Sequence, residues 1–157
     1  MSSHEAPGNP GLLAAGPISD RVSASPPDAA DLVELKVPAD PAYLTVVRTA
    51  SAGLAARLDL TLDEIEDLRI AVDEACTLLL DGSDSTSELT ATFRLGADTL
   101  EVEVRGPARE LPERSSFAWA VLEALVGEVF TGTSAQGAWI VLRHHRESAL
   151  SDLVGPG

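Results

Sequence analysis

A chain of 157 residues with 45% hydrophobic content has enough apolar side chains for one domain with its own core and is short for two. Its formal net charge of -14 repels a phosphate backbone and supplies no basic patch, which argues against direct nucleic-acid binding and for partners with basic surfaces. The single cysteine, Cys76, has no disulfide partner, and the N-terminal apolar run at 12–15 is far below the roughly 20 residues of a membrane span, so a cytoplasmic protein with no membrane segment is expected.

Residues 1–30 hold Pro7, Pro10, Pro17, Pro26 and Pro27 among Gly, Ser and Ala. This composition offers turns but no periodic apolar face, and it predicts a disordered arm. From Leu32 the character changes: Val33, Leu35 and Val37 alternate with Glu34 and Lys36, the period of a half-buried strand, which Pro38 ends. After Asp40 and Pro41, the residues Tyr43, Val47, Ala50, Leu54 and Leu58 keep helical spacing and predict a first helix, with Arg48 off the apolar stripe. A second helix opens at Thr61, which forms a capping box with Glu64. Its apolar stripe is Ile65, Leu68, Val72, Ala75, Cys76 and Leu79, with Asp63, Glu66, Asp67 and Arg69 off it. Glu74 and Leu78 are four apart and share one face. Cys76 reads as a small core residue.

The run DGSDSTS at 81–87 is a surface loop. Leu89, Ala91, Phe93 and Leu95, then Leu100, Val102 and Val104, alternate with polar residues on either side of Gly96, which predicts a hairpin. A loop follows at 106–115. A third helix then carries Ala118, Val121, Leu122, Leu125 and Val129 at its period. Residues 130–137 turn through two glycines, with a further strand near Phe130 as an option, into a central strand at 138–142, and a polar tail starts at Arg143. Trp119 and Trp139 fall within these patterns and read as core or dimer packing. The expected fold class is α+β: a two-layer sandwich, a mostly antiparallel sheet covered on one face by about three helices. The expected organisation is an arm at 1–30, a domain at 31–146 and a flexible tail at 147–157.

The segment VELKVPADPAYLTVVRTASAGLAARLDLTLDEIEDLRIAVDEACT resembles the N-terminal half of RsbW-type and SpoIIAB-type anti-sigma factors, serine protein kinases of the GHKL ATPase superfamily. By order of elements the resemblance runs from Val33 to Arg143; in sequence it is specific through Thr77. It implies a protein that binds a sigma factor, binds ATP with Mg²⁺, and phosphorylates a serine on a small STAS-type anti-anti-sigma factor. In such kinases a Glu-x-x-x-Asn pair on one helix supplies a carboxylate for proton abstraction and an amide oxygen for the metal. The matching positions here are Glu74 and Leu78. The family's adenine-binding Asp falls at Gly106, followed by Pro107 and Ala108, and its phosphate-binding glycines fall at 115–118, where this chain has none. Its Gly-Thr-like start of the last strand persists as Gly137-Ala138.

The resemblance thus makes Glu74 the catalytic position, assigns cofactor positions to Glu74, Gly106 and Gly137, and leaves no metal ligand at Leu78. Arg48 matches the arginine of the family's first helix that contacts both sigma factor and antagonist, and Leu44 stands one turn earlier, where the family has an acidic partner-contacting residue. With three nucleotide features altered, the expectation is a degenerate member with no ATP/Mg binding or weak binding, which works through protein partners and a homodimer. The alternative is an active ATP-dependent serine kinase with a rebuilt pocket.

Overall fold

Period-two alternation is strongest at 88–104, and these residues form the middle of the sheet in the computed structural model, which describes residues 31–146. The arm at 1–30 and the tail at 147–157 lie outside the described residues. Five strands, β1 (Asp31–Pro38), β2 (Glu88–Leu95), β3 (Thr99–Gly106), β4 (Glu128–Ser134) and β5 (Gly137–His145), run in the order β1-β2-β3-β5-β4. Every neighbouring pair is antiparallel. Leu89, Ala91 and Phe93 on β2, Leu100, Val102 and Val104 on β3, and Ala138, Ile140 and Leu142 on β5 are all buried on one face, as alternation requires.

Three helices cover that face. The chain enters α1 (Leu44–Arg57) through a single 3₁₀ turn at Pro41–Tyr43, where the Asp40 carboxylate accepts from the Ala42 amide at 2.8 Å. The predicted capping box of α2 (Leu62–Leu79) is present: Thr61 Oγ1 accepts from the Glu64 amide at 3.1 Å, and Glu64 Oε2 accepts from the Thr61 amide at 2.7 Å. Leu68, Ala71, Val72, Ala75, Cys76 and Leu79 of α2 are buried. At about 1.5–3 kcal/mol for each large side chain, this stripe rather than helix propensity holds α2 on the sheet. The third helix, α3 (Phe117–Val126), is capped by Ser116. Trp119 is core, and its indole nitrogen donates to the carbonyls of Pro112 and Glu113 at 3.1 and 3.0 Å. The two-layer α+β sandwich expected from the sequence is the fold observed.

Three expectations at the C-terminal end are corrected. The third helix stops at Val126, because Gly127 takes φ +108 and redirects the chain, and Val129 is buried in β4 instead. The segment expected to turn through two glycines, with a further strand near Phe130 as an option, takes that option and is mostly strand β4, hairpinned to β5. Gly132 pairs with Trp139, whose indole lies where a side chain at 132 would sit, so a cross-strand aromatic replaces the missing packing of the glycine. Trp139 therefore lies half-buried on the face opposite the helices rather than in the core. The polar residues 143–145 belong to β5, not to a tail, because they pair with Thr99–Glu101 of β3. Among the described residues no helix is long and apolar enough to cross a membrane.

Candidate functional site

The C-terminal half of α2 brings the sequence-derived nucleotide positions to one end of the fold. Glu74 is exposed, and Leu78, one turn on, is partly buried against the core. Gly106, the last residue of β3, lies against the end of the same helix. A Cβ at 106 would sit 2.6 Å from the Leu79 carbonyl oxygen and 2.8 Å from the Leu79 Cβ, so only glycine fits. Two residues later Ala108 is fully buried, and its amide donates to the Leu79 carbonyl at 3.1 Å. That carbonyl is one of the last-turn acceptors left without a partner inside the helix, so the 106–108 segment acts as its cap. Gly137 meets Gly106 from the other side. It has φ +142, and a side chain there would run into the Gly106 carbonyl. Gly106 and Gly137 are thus brought together as a close backbone approach between β3 and β5.

The start of α3 is also engaged. Ser116 Oγ accepts from the Ala118 amide at 3.2 Å, which satisfies a first-turn donor that a phosphate would otherwise take. Phe117 beside it is 80% exposed.

These residues do not fit a magnesium-bound nucleotide. Mg²⁺ demands oxygen ligands, and Leu78 has none. Gly106 has no side-chain acceptor for an exocyclic amine, and its backbone is packed beneath Leu79. Among the described residues there is no group of three or more His, Cys, Asp or Glu side chains placed to hold a metal.

Arg48 is half-buried and points along α2 rather than into open solvent. One of its terminal nitrogens donates to Asp73 Oδ1 at 2.7 Å and the other to Thr45 Oγ1 at 3.1 Å. Leu44 is partly buried against the core. Asp73 escaped the sequence reading because its role depends on how α1 and α2 dock. A second such pair joins distant segments: His144 Nε2 lies 2.9 Å from Glu64 Oε1, and His144 Nδ1 lies 3.3 Å from the Val126 carbonyl. Burial alone would raise the Glu64 carboxyl, but the Thr61 amide and His144 outweigh it and hold the group below its ordinary value. Cys76 is buried, and burial, reinforced by Asp73, pushes its thiol up to about 12, so it is no nucleophile in the folded chain.

No family model matches the chain. Curated relatives do. The serine-protein kinase RsbW of Bacillus subtilis is 45% identical over 78 residues, 48% of this chain and 49% of that protein. The Bacillus velezensis protein of the same name is 42% identical over 77 residues, 47% of this chain and 48% of that protein. In Bacillus mycoides the match lengthens to 97 residues at 33% identity, 60% of this chain and 57% of that protein. The chain therefore aligns with about half the length of the curated relatives it matches. A crystal structure of the RsbU and RsbW domains of a Mycobacterium tuberculosis protein superposes with a TM-score of 0.57 at 18% identity, over 73% of this chain and 32% of that one. That superposition bears on the fold alone, an antiparallel sheet backed by helices. The sequence matches make this chain similar to serine-protein kinases named RsbW over about half of their length.

Proposed function

We propose that this protein is an anti-sigma factor-like regulator that binds a sigma factor, a STAS-type antagonist, or both in exchange, and that its nucleotide site is degenerate. The observation that carries the second half is the packing of the 106–108 segment onto the last turn of α2, with apolar Leu78 where the family places a metal ligand. The partner-binding half is supported by the resemblance of the segment through Thr77, which spans α1 and most of α2, and by the matches to proteins named RsbW. Arg48 is placed as a partner contact, because a guanidinium forms forked bonds to carboxylates that lysine does not.

Calorimetric titration with Mg-ATP tests the reading. Losing a metal ligand and an adenine acceptor removes contacts of about 1–3 kcal/mol each, which moves a micromolar site towards about millimolar. Negligible heat, with no phosphoserine on a STAS-type antagonist, is expected. A low-micromolar dissociation constant or phosphate transfer would overturn the degenerate site and favour the second reading, an active serine kinase. That second reading draws on the kinase names of the relatives and on the exposed Glu74 carboxylate. Affinity purification from the native extract, followed by mass spectrometry, tests the partner class.

A further inference from the structure

His144 continues the row of Ile140 and Leu142 on the helix-covered face of β5, so a titratable ring stands where alternation calls for an apolar side chain. Its side chain is 16% exposed and that of Glu64 is 18% exposed. Both ring nitrogens meet acceptors. Nε2 lies 2.9 Å from Glu64 Oε1 near the start of α2, and Nδ1 lies 3.3 Å from the carbonyl of Val126, the last residue of α3. That carbonyl belongs to the last turn, which has no acceptor partners inside the helix and carries the negative end of its dipole.

A neutral imidazole has one N–H and one lone pair, whereas the imidazolium has two N–H groups. Only the imidazolium satisfies both contacts at once. With the ring neutral, the tautomer protonated on Nε2 keeps the bond to the carboxylate and turns a lone pair towards the Val126 carbonyl. The other tautomer sets its lone pair against a carboxylate at 2.9 Å, which is worse. Loss of one proton therefore breaks the contact with α3 first. The end released adjoins Gly127, which takes φ +108 and donates to the Glu123 carbonyl at 2.9 Å. A cleft of about 450 Å³ lies beside it, walled by Glu64, Leu125 and His144.

The other charged groups around this contact come from each neighbouring element. On α2, Glu64 is flanked by Asp63 and, one turn on, by Asp67. On α3, Glu123 lines the same cleft and is tied to Arg114 at 3.2 Å. On β3, Leu100 stands opposite His144 and carries no charge. On β5 itself, Arg143 and His145 alternate away from His144 and pair with Glu101 and with Glu128 of β4, while Arg146 donates to the Leu58 carbonyl at 3.1 Å. Among the described residues Glu64 is the one carboxylate in bonding contact with His144.

We infer that His144 is a proton-operated latch: as an imidazolium it ties the end of α3 to β5 and to the start of α2, and on losing a proton it lets go of the Val126 carbonyl and frees the α3–β4 turn. α3 also holds the loop before it, through the Trp119 indole bonded to the carbonyls of Pro112 and Glu113. The latch thus sets how firmly one whole side of the helical layer is held. It needs neither nucleotide nor partner, so it stands apart from the function proposed above.

The test follows the imidazole nitrogens and backbone amides of the isotope-labelled full chain by NMR as pH is raised from about 5 to about 9, above the carboxylate range and through that of histidine. Glu64 stays ionised throughout, because its carboxyl is held below the ordinary value. The neutral His144 ring is expected as the Nε2-protonated tautomer, and the Val126 and Gly127 amides should shift on the same curve as its ring nitrogens. Hydrogen-exchange protection of the Gly127 amide should fall about fivefold across that step, the worth of about one hydrogen bond. His145 is the internal control, since it is exposed and bonds Glu128 through one ring nitrogen; its titration should leave those amides in place. His144→Gln should abolish the step and His145→Gln should keep it. A neutral His144 protonated on Nδ1, amides at 126 and 127 that do not follow His144, or a step that survives in His144→Gln would overturn the latch. The first two outcomes are read on the unaltered chain, so they decide the matter even where the variant fails to fold.

Discussion

Arg48 on α1 and Asp73 on α2 are joined by a 2.7 Å ion pair, so the arginine proposed as a partner contact is already held by the fold. The pair sits at the surface, with side chains 31% and 39% exposed, where such pairs contribute about 0.2–1 kcal/mol. Arg48→Ala should therefore cost less than about 1 kcal/mol in urea unfolding, and a double-mutant cycle with Asp73→Ala should return a coupling of the same size. Against a purified partner, Arg48→Ala should weaken the complex by at least ~1 kcal/mol. Asp73→Ala, which releases the guanidinium, should not. Equal losses from both variants would mean that Arg48 acts only as a strut between helices.

Glu64 ties three segments together: it completes the capping box at Thr61 and meets His144 of β5. Its carboxyl is held below the ordinary glutamate value of 4.5 in the fold. A depressed folded pKa means the unfolded state binds the proton more readily. The stabilisation is therefore complete above 4.5 and is lost as pH falls through the folded value. Glu64→Gln should flatten the acid limb of the stability curve, and Glu64→Ala should cost about 1–2 kcal/mol near neutrality through the lost cap. Urea midpoints measured from neutral to acid pH check both, and an unchanged acid limb in Glu64→Gln would assign the acid loss to other carboxylates.

The elements most legible in the sequence were those whose signals are local. The Thr61–Glu64 box, the alternation at 88–104 and the α2 stripe all follow from neighbours within a turn or two. What escaped depended on distant partners. β4 was only half visible because Gly132 looks like a breaker until Trp139 is placed across from it. Arg143 and His145 look like the start of a tail, yet Arg143 bonds Glu101 at 2.8 Å, which keeps the end of β5 in the sheet. At the site, the family resemblance indicated which residue types differ at 78 and 106. It did not show that the 106–108 backbone caps α2.

Gly137 is a position where the backbone dictates the residue. Its φ of +142 is costly for any L side chain, and a Cβ would collide with the Gly106 carbonyl. Strain of about 1–3 kcal/mol from the dihedral and a similar cost from overpacking predict a loss of at least about 2 kcal/mol for Gly137→Ala. Guanidinium unfolding measures it. Gly53→Ala is the control, since a Cβ there meets nothing within 4 Å inside a helix, and it should be neutral or stabilising. Near-equal stability of the two variants would show that β3 and β5 separate easily at this end.

The same crowding bears on the proposed degeneracy of the nucleotide site. Leu78→Asn returns an amide oxygen to the family's metal position, but it trades partly buried apolar surface for a polar group and should cost about 1–2 kcal/mol. Gly106→Asp, which would return the adenine acceptor, places its Cβ 2.6 Å from the Leu79 carbonyl oxygen and 3.0 Å from Leu89 Cδ1. The segment must then move off α2, and the Ala108 amide bond to Leu79 is lost with it. Leu78→Asn alone should therefore fold without binding Mg-ATP, and the double variant should be less stable by several kcal/mol and still not bind. Thermal melts and calorimetry on both variants decide the point. Micromolar Mg-ATP binding by Leu78→Asn would mean that the site lacks only a side chain, whereas the packing of Gly106 and Ala108 against Leu79 predicts that the space itself is filled.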